Sequence, residues 1–267
     1  GYKFFRALGV PKTMPFMMTV SVTNQCNSKC KTCNIWKIYI DKPQLMANEL
    51  SLQEFETIFE NVGKSVIWFN ISGGEPFLRP DLTDICAAMY ECCNPKVFTI
   101  PTNGLLPHSI KEKTREILDF CDGAALVVNV SIDGLEHEHD EIRGVKGNFD
   151  RATETFKVLK ELQKEYNNLV LGVHSVVSKF NVDRLSSVYE YVKREFHPDS
   201  YICEPAENRS ELFNENEDIV PDVSSYEKWI ERLRQSTKRD YLVGNGISKL
   251  IHEVRLKYYD LAIDELN

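Results

Sequence analysis

The run Thr23-Asn-Gln-Cys-Asn-Ser-Lys-Cys-Lys-Thr-Cys-Asn34 carries Cys26, Cys30 and Cys33 just after the apolar stretch Met17 to Val22. Thiolates are the ligands that iron–sulfur clusters take, so three of them on one short irregular loop can hold three irons of a cubane. The fourth iron is then left without a protein ligand. Other chemistries compete for the same sulfurs. Zinc normally draws four ligands from two separated pairs, and no Cys or His stands close enough in sequence to complete such a set. Cys30-Lys-Thr-Cys33 alone reads as a thioredoxin-like redox pair, which leaves Cys26 idle.

Further polar and flexible groups punctuate the chain. Gly73-Gly74-Glu75-Pro76 follows an apolar run; two glycines let a backbone approach a ligand closely, or simply make a tight turn. Ser131 and Asp133 flank Ile132 and therefore share a strand face. A hydroxyl and a carboxylate on one inward face suit a ribose, although Asp133 can equally cap its own Asp-Gly turn. Asn103 and Asn181 read as turn residues or as ligand contacts near a site mouth. His137 and His139 read as solvated or helix-capping loop residues rather than metal ligands. Cys203, beside Glu204 with Glu207 and Arg209 beyond, is either a hydrogen-atom donor at a strand end or a buried small hydrophobe. Cys86, Cys92, Cys93 and Cys121 fall in or at the ends of helical segments, where burial is the ordinary role.

These groups need elements to carry them. Strands are expected at Met17 to Val22, Val66 to Ile71, Lys96 to Ile100, Ala125 to Ile132, Leu169 to Val177 and Ser200 to Cys203. Helices are expected between them: from the capping box Ser51-Leu-Gln-Glu54 to Val62, from Asp81 to Cys92, from Ser109-Ile-Lys-Glu112 onward, from Phe149 to Tyr166 and from Val182 to Glu195. A last helical stretch is expected over Ile247 to Leu266. Parallel strands need crossovers of about a dozen residues, which helices supply, so the class is α/β. In a doubly wound sheet ligands gather at one switch point, whereas in a barrel every strand end faces one mouth. Unusual residues here follow four successive strands, which favours a partial TIM-like (β/α)6 barrel, about three-quarters of the eight-unit form. Residues 1–16 are expected as an N-terminal extension, 17–210 as the core and 211–267 as a C-terminal helical extension, after which either a cysteine-rich domain follows or the protein does without auxiliary clusters.

The order and spacing of these motifs resemble those of radical S-adenosylmethionine (SAM) enzymes. Ser131-Ile-Asp-Gly134, then His139-Asp140, Arg143-Gly144 and Gly147-Asn-Phe149, are similar to the run seen in peptide maturases of the SPASM type and in molybdenum-cofactor cyclases. The resemblance implies a radical SAM core in which Cys26, Cys30 and Cys33 hold a [4Fe-4S] cluster. Its open iron would bind the amino and carboxylate groups of SAM, and electron transfer would release a 5′-deoxyadenosyl radical that abstracts hydrogen from an organic substrate. It further implies that Gly73, Gly74, Glu75 and Pro76 serve the methionyl amino group, Ser131 and Asp133 the ribose, Arg143 the SAM carboxylate and Asn103 the cofactor more generally. An electron donor such as flavodoxin or ferredoxin belongs to the same picture. Thr32 stands where relatives carry an aromatic over the adenine, so Ile35 or Trp36 is expected to supply that surface.

Composition narrows the partners. A 267-residue chain with 42% hydrophobic residues can bury a large core. Its net charge of −8, with no basic stripe, argues against nucleic acid and for a peptide or small-molecule substrate. No stretch of about 18 apolar residues is present and the eight cysteines follow no disulfide framework, so a cytoplasmic protein with reduced thiols and no membrane span is expected. The rival reading is a non-catalytic iron–sulfur or metal-binding redox module, which would leave Gly73 to Pro76 and Arg143 without a task.

Overall fold

Six parallel strands, β1 (Met17–Ser21), β2 (Trp68–Ser72), β3 (Val97–Thr102), β4 (Ala125–Ser131), β5 (Leu169–Val177) and β6 (Ser200–Pro205), pair side by side in chain order. They are taken from a computed structural model that describes residues 15–243 and 256–264. Helices α1 (Leu52–Val62), α2 (Leu82–Cys93), α3 (Pro107–Phe120), α4 (Glu136–Arg143), α5 (Asn148–Leu162) and α6 (Leu185–Glu195) lie in the crossovers, and α7 (Val223–Val243) follows β6. β1 and β6 are the two edges of the sheet. The result is the partial TIM-like barrel expected from the alternation of elements.

The two faces of this sheet differ. Val20, Ile71, Ile100, Val128 and Val173 sit on the convex side and are buried in one continuous core with Phe55, Met89, Ile117 and Leu159 of the helices. Burial of such side chains contributes roughly 1.5–3 kcal/mol each, so the barrel is held from outside, by helix against sheet. Tyr226 and Trp229 of α7, with Tyr259 and Ala262 of the helical residues 256–264, join the same core behind β6.

Local rules account for most boundaries. The Ser51 hydroxyl accepts from Glu54 N at 3.4 Å while Ser51 N donates to the Glu54 carboxylate at 2.8 Å, so the capping box is formed. α3 begins at Pro107 rather than Ser109 and has no side-chain cap, because proline's fixed φ already suits the first helical turn. α4 is a departure: residues 136–143 were expected as loop. Its buried face is His139, Ile142 and Arg143, with a single apolar residue, so no hydrophobic period marks it in the sequence. Of the stretch expected at Ile247 to Leu266, residues 256–264 are helical and the remainder lies outside the described residues. All eight cysteines are free, and among the described residues no helix is long and apolar enough to cross a membrane.

Arg79 fastens the top of the barrel. Its guanidinium, buried, donates to the carbonyls of Val22 and Leu50 at 2.7 Å each and pairs with Asp81 at 2.7 Å and Glu49 at 3.4 Å. Removing it strands two carbonyls and the Asp81 carboxylate, while Glu49 keeps its other donors. Arg79→Ala is expected to destabilise the chain by about 3 kcal/mol, read as a lower urea midpoint at unchanged slope.

Candidate functional site

One cavity opens at the carboxyl ends of the strands, and every strand contributes to its wall. The cysteine loop enters after β1, Gly73 to Glu75 after β2, Thr102 and Asn103 at β3, Ser131 at β4, Val176 at β5 and Glu204 to Ala206 at β6. Cys26, Cys30 and Cys33 all line it, and so do Arg143, Ile35 and Trp36. Only a sheet curved into a barrel brings six strand ends to one mouth.

The cysteine loop has no ladder of its own and is held by neighbours on two sides. Gly74 N donates to the Thr23 carbonyl and Glu75 N to the Gln25 carbonyl, both at 2.8 Å. From the other side Lys29 N donates to the Arg143 carbonyl at 2.9 Å and Lys31 N to the Ile142 carbonyl at 2.8 Å. These last acceptors are carbonyls that the end of a helix leaves free. Close approach explains two glycines: at Gly73, with φ of 141°, a Cβ would strike the Thr23 backbone, and at Gly144, with φ of 67°, it would strike the Lys29 carbonyl. Thr23 Oγ1, Asn24 N and Tyr39 OH all donate to the Glu49 carboxylate, which ties the start of the loop to Arg79.

Burial pushes the Cys26 thiol up to about 12 and Cys33 to about 11. Cys30 also rises through burial, opposed by the Arg143 guanidinium, whose Nη1 lies 3.7 Å from the sulfur. Three such sulfurs become thiolates only beside compensating positive charge, as iron supplies. Among the described residues no group of three or more His, Cys, Asp or Glu is arranged to hold a single metal ion, whereas the three sulfurs share one cavity wall. In a cubane each thiolate meets a different iron, so the three-sulfur wall fits a cluster.

The remaining expected residues divide into those at the cavity and those beneath it. Glu75 lines the cavity, but its carboxylate already accepts from Asn103 N at 2.7 Å, Thr102 Oγ1 at 2.9 Å and Phe77 N at 3.2 Å; burial raises it to about 7. It thereby sets the end of β3. The Asn103 amide lies 2.7 Å from Asn27 Oδ1 and 3.9 Å from Cys26 Sγ. Ser131 stands at the wall. Asp133 lies below it, 1% exposed, accepting from Val176 N at 2.8 Å and meeting Arg143 Nε at 2.7 Å, an ion contact off the hydrogen-bond line. Asp133 therefore orients the guanidinium that faces the cavity. Pro76 is buried outside the wall and starts a helical turn. Asn181 also sits below, donating to the carbonyls of Asp133 at 2.8 Å and Val176 at 2.9 Å. Cys203 points to the convex side, 3.7 Å from Tyr259 OH, away from the mouth.

Both histidines ride on α4 rather than on a loop. His137 is exposed and pairs with Glu141 at 3.0 Å. His139 is fully buried; its Nδ1 accepts from Asp133 N at 3.1 Å, and burial, helped by Arg143, lowers it to about 4. Sequence reasoning missed Glu49 and Arg79, which lie outside any periodic segment, and the docking of the α4 carbonyls. Only Gly144, a helix-ending glycine, hinted at the latter.

A sequence profile described as the radical SAM superfamily matches residues 20–191. Fe-coproporphyrin III synthase of Methanosarcina barkeri is 28% identical over 227 residues, covering 83% of this chain and 52% of that protein. Sporulation killing factor maturation protein SkfB of Bacillus subtilis is 27% identical over 181 residues, covering 66% and 39%. Among solved structures, Streptococcus suis SuiB bound to S-adenosylmethionine shares the fold with a TM-score of 0.63 at 18% identity, over 89% of this chain and 48% of that one. The chain spans about half the length of the curated relatives it matches.

Two expectations follow from the geometry. Gly144 and Gly147 both have left-handed backbone, but space around Gly147 is open. Gly147→Ala is expected to cost about 1 kcal/mol by strain alone; Gly144→Ala should cost more and bind less iron per chain after anaerobic reconstitution, because it pushes on Lys29. His139, held near 4 in the fold against an ordinary 6.5, must stay neutral where the unfolded chain takes up a proton. Stability from this group is therefore lost as pH falls from 6.5 toward about 4, by about 3 kcal/mol. In urea unfolding of metal-free protein, His139→Gln should lack this loss.

Proposed function

The chain belongs to the radical SAM superfamily, and from that premise we propose that Cys26, Cys30 and Cys33 hold a [4Fe-4S] cluster which, with SAM, serves hydrogen abstraction from a peptide or biosynthetic intermediate. The observation that carries this reading is that the three cysteines, Gly73, Gly74, Ser131 and Arg143 wall one cavity. When bound and reduced, the cluster and SAM supply a 5′-deoxyadenosyl radical. The work of the protein is to bind, orient and exclude water.

Arg143 is fixed by Asp133 on one side, leaving guanidinium N–H groups toward the cavity as a fork for the SAM carboxylate. Gly73 and Gly74 bring bare backbone to the wall, where main-chain groups meet the methionyl amine. Ser131 offers a hydroxyl to the ribose, with Asn103 beside Cys26 between the two ends of the ligand. Ile35 and Trp36 supply the apolar surface for the adenine, the role an aromatic at position 32 would otherwise fill. Catalysis further requires a one-electron donor, of the flavodoxin or ferredoxin kind. SkfB is named as a maturation protein and SuiB has been solved bound to a precursor peptide, which supports a peptide among the substrate classes.

Anaerobic reconstitution with iron and sulfide, followed by SAM and dithionite, is expected to yield 5′-deoxyadenosine. Cys30→Ala should abolish it, and Arg143→Met should weaken SAM binding about tenfold or more, the worth of one hydrogen bond between charged groups. A wild-type sample with a full complement of iron that releases no 5′-deoxyadenosine would leave only the redox-module reading.

A further inference from the structure

The inner face of this barrel is unlike a packed one. Barrel interiors are normally filled with layers of Val, Ile and Leu. Here the register aligns Asn70 with Thr99, Pro101 with Asn129, Ser131 with His174 and Val176 with Glu204 across the strands, all on the side opposite the buried core. Along that face of the six strands Glu204 is the sole carboxylate, His174 the sole histidine, and no Lys or Arg occurs.

Glu204 has acceptor capacity to spare. His174 Nε2 stands 3.5 Å from Glu204 Oε2, too long and misaligned for a good hydrogen bond, and the Glu204 side chain is 47% exposed at the cavity wall. The His174 contact nevertheless holds the Glu204 carboxyl below the ordinary carboxylate range, so it is ionised at neutral pH. Deeper on the same face, Asn129 is 5% exposed and its carboxamide oxygen has no hydrogen-bond partner; it lies against Gly172, where any Cβ would collide with it. Two arginines reach the mouth and each has a carboxylate partner: Arg209 pairs with Glu207, and Arg143 pairs with Asp133 while keeping N–H groups for the SAM carboxylate.

We propose that Glu204 of the β6 wall, with His174 behind it, binds a cationic nitrogen of the substrate, and hence that the substrate is a peptide with a lysine- or arginine-type side chain rather than a polycarboxylate or polyphosphate. This rests on the reading that the substrate enters the cavity that holds SAM. An ionised, partly exposed carboxylate on strands whose inner face carries no Lys or Arg rewards an N–H donor and repels an anion.

The test is equilibrium dialysis on anaerobically reconstituted protein with SAM and no reductant. The probes are acetyl-Ala-Ala-Lys-Ala-Ala-amide, its norleucine counterpart, coproporphyrin III and GTP. The lysine peptide is expected to bind about tenfold tighter than the norleucine peptide, and tighter than either anion. Glu204→Gln should bring the lysine-to-norleucine ratio close to unity while Glu204→Asp retains a preference, with iron content and cluster absorbance reporting that each variant is folded and loaded. Equal binding of the two peptides, a ratio untouched by Glu204→Gln, tighter binding of an anion, or no binding of the lysine peptide at about 1 mM overturns the proposal. If wild type makes no 5′-deoxyadenosine in the assay above, the functional reading fails; if it does and the ratio is near unity, this inference alone fails.

Discussion

The site depends on main-chain hydrogen bonds that clamp a loop with no regular structure. The segment Thr23 to Cys33 gives its carbonyls to the Gly74 and Glu75 amides and takes acceptors from Ile142 and Arg143 for its own amides. Buried peptide groups must find partners, so the loop can reach the mouth only where a glycine turn and a helix end meet it. The close packing that permits those bonds leaves no room for a Cβ at Gly73 or Gly144. The positions of the three sulfurs follow from backbone contacts more than from their own side chains.

Charge is arranged with similar economy of space. Arg143 lies between Asp133, which it meets at 2.7 Å, and the Cys30 sulfur at 3.7 Å, while its carbonyl holds Lys29. A buried guanidinium without a carboxylate would be costly; Asp133 offsets that cost and sets the direction of the remaining N–H groups. Asp133 is held in turn by Val176 N, which donates to its carboxylate, and by its own amide, which donates to His139 Nδ1. Residues from β4, α4 and β5 thus act as one unit under the cavity.

The sheet separates stability from function by face. Its convex side is apolar and carries the helices, whereas its inner side mixes apolar residues with polar ones and opens to the mouth. An incomplete barrel with edges at β1 and β6 need not fill its interior to be stable, because the outer core already does so. The inner positions are then free to carry acceptors such as Asn129 and Glu204.

Much of this was legible along the chain. Alternating apolar runs, the Ser51 capping box and the position of unusual residues after successive strands defined a partial barrel, since each is a local preference or a period. The spacing of Cys26, Cys30 and Cys33 already placed three sulfurs together, because residues so close in sequence cannot be far apart in space. Other features required the tertiary structure. Helix α4 carries too few apolar residues to show a period, and Asp133, Asn181 and Cys203 sat at strand ends where either of two directions was open. Whether such a side chain meets the cavity or lies beneath it depends on the neighbours that strand pairing brings, and those neighbours come from residues far away in the chain. Local sequence decided which groups exist and on which elements they ride; only the folded sheet decided that Asp133 serves Arg143, that Cys203 faces the outer core and that Glu204 faces the mouth.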